Sequence, residues 1–110
     1  MKNKESLKKW DIVLVALNKQ QKRPALIISP ERHNLTHDII VLFITSNLDI
    51  YEEFGDYKIQ NWEAAKLPKP AIIKMNFSTV AKKHLKPLGR LTPEDIKEFE
   101  KNFSNFFNLN

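Results

Sequence analysis

The sequence has no cysteine and only two glycines among its 110 residues. The missing cysteines exclude disulfides and thiolate metal sites, and they fit a reducing compartment. With only Gly55 and Gly89 there is no Gly-rich loop to cradle phosphates, and no serine sits in a nucleophile elbow. No apolar run approaches the ~20 residues of a membrane span. His33, His37 and His84 are scattered or lie in a turn, and no neighbouring pattern supplies the further ligands a two-His site needs, so no metal and no cofactor is expected. Acids are missing where bases gather. Residues 82–90 hold Lys82, Lys83, Lys86 and Arg90 with no acid.

Positive charge is what the chain has in excess, with a formal net charge of +5. Residues 1–23 add Lys2, Lys4, Lys8, Lys9, Lys19, Lys22 and Arg23 against Glu5 and Asp11 alone. Clusters of this kind suit a polyanion such as RNA, or an acidic protein tail. The opposite sign collects at Asp49, Glu52, Glu53 and Asp56. The length fits one domain, and an apolar fraction of 42% supports one modest core. The first nine residues carry bases with no signal-peptide h-region after them, so no signal peptide is expected. The expectation is a cytoplasmic protein with no membrane association. A basic flexible tail is expected over residues 1–8 and a single domain over 9–110.

Trp10–Leu17 is almost continuously apolar and reads as a buried strand, followed by a short polar connection without glycine. β-branched runs at about 24–29 and 38–44 read as two more strands, joined through a polar turn over Pro30–His37. Thr45–Asp56 reads as a long loop, Tyr57–Ile59 as a short strand, and Asn61 as the cap of a brief helix ended by Pro68. Ala71–Phe77 is a further strand, and Thr79-Val80 the start of another short element. Thr92-Pro93-Glu94-Asp95 is helix-start chemistry: a hydroxyl cap, proline in the first position and acids in the first turn. Ile96, Phe99, Phe103 and Phe107 then share one helical face, which packs on a sheet. Short strands with one terminal helix make a mainly β fold, a small barrel or curled sheet.

Two polar residues at strand ends carry the chemistry. Arg23 opens the second strand and Thr45 closes the third. Antiparallel pairing through the Pro30–His37 turn would set this cation beside this hydroxyl at one edge of the sheet. Such a pair suits a phosphodiester, because the guanidinium fork matches phosphate oxygens.

The pieces occur in an order that resembles the MazF/PemK toxins, the ribonuclease half of type II toxin–antitoxin pairs. Asp11-Ile12-Val13-Leu14-Val15, Arg23-Pro24-Ala25-Leu26-Ile27-Ile28-Ser29 and Ile44-Thr45-Ser46 resemble that family's first three strands. Pro70-Ala71-Ile72-Ile73-Lys74 with Ser78-Thr79-Val80 resembles its central portion, and Leu88-Gly89-Arg90-Leu91-Thr92 leads into its terminal helix. The resemblance spans residues 9 to 105. It implies an SH3-like barrel, a homodimer, and metal-independent cleavage of single-stranded RNA by the ribose 2′-hydroxyl. An acidic antitoxin would neutralise the enzyme. Catalysis falls to the positions matching Arg23 and Thr45, with Lys19, Lys22, Ser46, Lys74 and Thr79 as expected RNA contacts. Arg23 is no general base, since a guanidinium stays protonated, and His33 is the weak candidate for a helper. Three departures stand out: Trp10 where the pattern has glycine, a short first loop without glycine, and Ala71 where it has serine. The first affects only a turn; the other two leave a second reading open, a non-catalytic binding module like the related gyrase-poisoning toxins. A generic SH3-like RNA- or peptide-binding module is the third.

Overall fold

The computed structural model describes residues 7–49 and 53–109. Six strands form one antiparallel sheet: β1 (Asp11–Ala16), β2 (Lys22–Ile27), β3 (Ile39–Thr45), β4 (Tyr57–Lys58), β5 (Ile72–Val80) and β6 (Leu85–Arg90), in the order β4-β5-β3-β2-β1-β6. β4 and β6 remain edges, so the sheet curls without closing into the expected barrel. The single turn α1 (Glu31–Asn34) joins β2 to β3 where the sequence reads only as a polar turn. A 3-10 turn (Lys82–His84) precedes β6, and α2 (Pro93–Phe107) closes the described chain.

Alternation along the strands buries both faces of the sheet. On one face Ile12, Leu26, Leu42, Ile44 and Ile73 pack with Leu91 and Phe99, so this face receives α2. On the other, Val13, Val15, Ala25, Ile27, Ile39 and Val41 pack with Leu7 and Leu85. Leu7 is buried rather than part of a free tail, and its carbonyl accepts from Asn34 Nδ2 at 3.0 Å. Lys8 is tied down as well, its N–H donating to Asp11 Oδ2 at 2.9 Å, and the rest of the expected tail, residues 1–6, lies outside the described residues. Asn34 is itself buried and also bonds Ser29, whose hydroxyl accepts from Ile40 N–H. This polar knot fixes the β2–α1–β3 connection and hence the register of the hairpin.

The helix starts as its sequence dictates. Thr92 Oγ1 accepts from Asp95 N–H at 3.3 Å, Pro93 follows, and Asn108 ends the helix in the left-handed region at φ 58°. Phe99 lies fully buried and meets Trp10 and Tyr57 edge-on. Residues 61–66 are successive turns instead of a helix, and Asn61 turns its amide to Thr92 Oγ1. The five residues before Leu67 and Pro68 are too few for a cooperative helix. This loop presses so closely on β6 that a Cβ on Gly89 would lie 1.9 Å from the Ala65 carbonyl oxygen. Thr79 and Val80 continue β5 rather than opening a new element.

Candidate active site

β2 and β3 pair through Ala25↔Phe43, Leu26↔Leu42 and Ile27↔Val41. Continuing that count by two residues sets Arg23 level with Thr45, at the open end of the hairpin. Pro24, which lacks an N–H, falls between them and weakens the ladder there. Both side chains lie on the face away from α2, because Arg23 pairs with Val15 and Thr45 alternates with Ile44 of the helix-side core.

Arg23 is exposed, and its guanidinium carbon stands 5.9 Å from the centre of the Phe43 ring. Among the described residues it has no ion pair and no side-chain hydrogen bond, so its fork of donors faces solvent unspent. Thr45 is half-buried, and its Oγ1 accepts from Asn47 N–H at 3.1 Å. That contact orients the hydroxyl and leaves its proton free to donate. An anion at this edge therefore meets a charged fork and a hydroxyl donor together.

The remaining predicted contacts are distributed unevenly. Ser46 follows Thr45 and is exposed at the same edge. Lys19 sits in the tight β1–β2 turn, which Asn18 closes by accepting from the N–H groups of Gln20 and Gln21 at 2.9 and 2.8 Å. Lys22 pairs with Ala16 and so projects to the face opposite Arg23, where it lines a cleft with Lys83, His84 and Lys86. Lys74 is held by Asp56 at 2.8 Å and Glu53 at 3.1 Å. The Asp56 hydrogen bond, reinforced by Glu53, keeps its ammonium above the usual lysine range against the opposing effect of burial. Its charge is already neutralised. Thr79 pairs with Ile40, five residues along β3 from Thr45 and on the other face, so it is not brought to the site. His33 stacks on His37 at the far end of the hairpin, its Nε2 on the Asp38 carbonyl oxygen. Among the described residues no group of three or more His, Asp or Glu is arranged to hold a metal ion.

The sequence reading missed Lys58. Lys58 pairs with Ile72, and Ile72 pairs with Thr45. Directly opposed residues share a face, so this lysine stands two strands from Thr45, about 10 Å away by strand spacing. Nothing local marks it, because the alignment arises from strands that are distant in sequence.

The model of the PemK-like, MazF-like toxins of type II toxin–antitoxin systems matches residues 8–107. The chain belongs to this family. Several solved structures share its fold. An endoribonuclease from a mycobacterial species, solved with its cognate antitoxin, superposes at a TM-score of 0.77 with 18% identity, covering 96% of this chain and 98% of that one. The Mycobacterium tuberculosis toxin MazF-mt6 gives 0.72 at 19% identity over 91% and 98% of the two chains. The MazE–MazF complex of Deinococcus radiodurans gives 0.70 at 12% identity over 92% and 94%. No curated protein matches the sequence. Family membership accords with the resemblance carried by the order of the sequence pieces. No helix among the described residues is long and apolar enough to cross a membrane.

Proposed function

We propose that this PemK/MazF-family toxin is a metal-independent endoribonuclease that cuts single-stranded RNA at the Arg23–Thr45 edge. The observation that carries the reading is the placement of an unpaired guanidinium level with an oriented threonine hydroxyl. In the reaction the ribose 2′ oxygen attacks the adjacent phosphorus and the bond to the 5′ oxygen breaks. The products are a 2′,3′-cyclic phosphate and a free 5′-hydroxyl. Arg23 stabilises the charge growing on the phosphorane, and Thr45 donates to one of its oxygens. With His33 remote, water takes up the 2′ proton, and water in turn protonates the departing 5′ oxygen, so that no net proton is gained or lost.

Exposed Lys19 and Ser46 at the same end support binding of the RNA backbone, whereas Lys22 serves the opposite face. The fold likeness to antitoxin-bound toxins supports an acidic antitoxin segment as the competing partner. It also supports a homodimer, since a chain of this size has a limited core. We assign the protein to the cytoplasm and take the chain from Leu7 onward, whose side chain joins the core, as one domain.

The test is cleavage of a single-stranded RNA in EDTA by wild type, Arg23→Ala and Thr45→Ala, with folding checked by circular dichroism. Each substitution should lower the rate on the order of a hundred- to a thousand-fold. Thr45→Ser should retain most activity, and Arg23→Lys only part, because the ammonium lacks the planar fork. A wild type that cuts no RNA, or an Arg23→Ala protein as fast as wild type, would return the binding-module reading.

A further inference from the structure

A cleft of about 270 Å³ opens beside β4, lined by Leu48, Lys58, Gln60, Trp62 and Ala71. It lies at the β4 edge of the sheet, where Lys58 is in register with Ile72 and Thr45 across three strands on one face, about 10 Å from Thr45 by strand spacing. Leu48, on the other wall, follows Thr45 by three residues. The lining has the chemistry of a nucleotide site. Trp62 is half-buried, anchored on the helix-side core, and lends the cleft a fixed aromatic surface. Gln60 donates its amide to the Lys58 carbonyl oxygen at 3.2 Å, which orients the side chain and leaves its own oxygen as an acceptor. Lys58 is exposed and forms no ion pair among the described residues, in contrast to Lys74 on the neighbouring strand. The volume falls below the ~300 Å³ lower end of drug-sized pockets, which suits one ring system and little more.

We infer that this cleft is a nucleotide subsite of the RNA path, taking the base adjacent to the scissile phosphate. The inference rests on the endoribonuclease reading. Trp62 stacks on the base, Gln60 reads its edge through the free oxygen, and Lys58 meets the backbone phosphate. Stacking on an aromatic face accepts any base, so discrimination falls to Gln60, whose free acceptor favours a base presenting an exocyclic amino group.

The experiment uses the full chain and uncleavable single-stranded 2′-O-methyl hexamers of each of the four bases. Tryptophan fluorescence should be quenched on binding, and the quench should vanish in Trp62→Phe, whose remaining ring still binds. Trp62→Leu should weaken binding on the order of tenfold to a hundredfold. Lys58→Gln should reduce the slope of log affinity against log salt by about one. Gln60→Leu should level the affinities of the four hexamers. Lys58 and Gln60 are exposed, so these two variants test the cleft even if Trp62→Leu misfolds. Binding with no fluorescence change, and with Lys58→Gln and Gln60→Leu like wild type, would overturn the subsite while Arg23-dependent cleavage still stood. Binding at the cleft by a wild type that cuts no RNA would instead overturn the catalytic reading and leave the subsite. No binding of any hexamer at low salt would overturn the subsite outright.

Discussion

Trp10 and Phe99 meet edge to face with ring centres 5.7 Å apart, and Trp10 reaches that contact from a left-handed backbone at φ 79°. A bulky residue in that region is strained, at a cost of about 1–3 kcal/mol. Glycine would occupy it freely, which explains why the resembled pattern has glycine there. Here the strain is offset by burying the indole, only 8% exposed, against the helix.

Trp10→Gly should therefore relieve the backbone yet destabilise the protein. Truncating a buried aromatic costs about 3–5 kcal/mol, so a net loss of about 2 kcal/mol is expected from denaturant unfolding. A gain in stability would show that the indole contact contributes little.

Stability should fall with acid through Asp95. This buried carboxylate accepts from the Tyr57 hydroxyl at 2.6 Å and from the N–H groups of Gln60 and Asn61 at 3.0 and 2.8 Å. Burial alone would raise its pKa, but these donors outweigh it and hold the group below its ordinary 3.8. A depressed carboxyl contributes stability that is present above the ordinary value and lost as pH falls through the folded one. The thermal midpoint should thus drop below about pH 4, and less steeply in Asp95→Asn. An unchanged acid limb in that variant would remove Asp95 as the cause. Burial and the Asp95 hydrogen bond also push the Tyr57 phenol well above its ordinary 10.0, so stability erodes again only as pH rises past that value.

Phe43 should act on catalysis through Arg23. Cation–π contacts at exposed sites contribute about 0.5–1 kcal/mol, so Phe43→Leu should slow cleavage about two- to fivefold by that measure. The loss should appear in kcat, and Phe43→Tyr should restore the rate. In an Arg23→Ala background Phe43→Leu should change nothing further, and a further loss there would assign Phe43 a different role.

Lys74 should matter to folding more than to RNA. Its two carboxylate partners include Asp56, whose side chain is only 4% exposed, and removing the lysine leaves that carboxylate buried without its cation. Lys74→Met should lower the thermal midpoint while leaving the salt dependence of RNA binding close to wild type. A changed salt slope with unchanged stability would make Lys74 a phosphate contact after all.

Periodicity and cap chemistry made much of this fold legible. The alternating runs of β1, β2 and β3 and the Thr92–Asp95 start of α2 are local codes, complete within a few residues each. The level placement of Arg23 and Thr45 followed from one hairpin, whose register needs only two adjacent strands and their connection. What lay beyond was decided by partners distant along the chain. β6, with Pro87, Gly89 and two bases, has no strand signature and forms because β1 offers an edge to pair with. Lys74 reads as a free cation until Asp56 is folded against it, and Lys58 as a surface lysine until β5 aligns it with Thr45. Asp95 reads as helix-start charge, and only the Tyr57–Asn61 loop closing over it makes it a buried anion. A sequence displays which faces can be buried; which charges neutralise one another, and which remain free for a ligand, is settled when the sheet brings remote strands together.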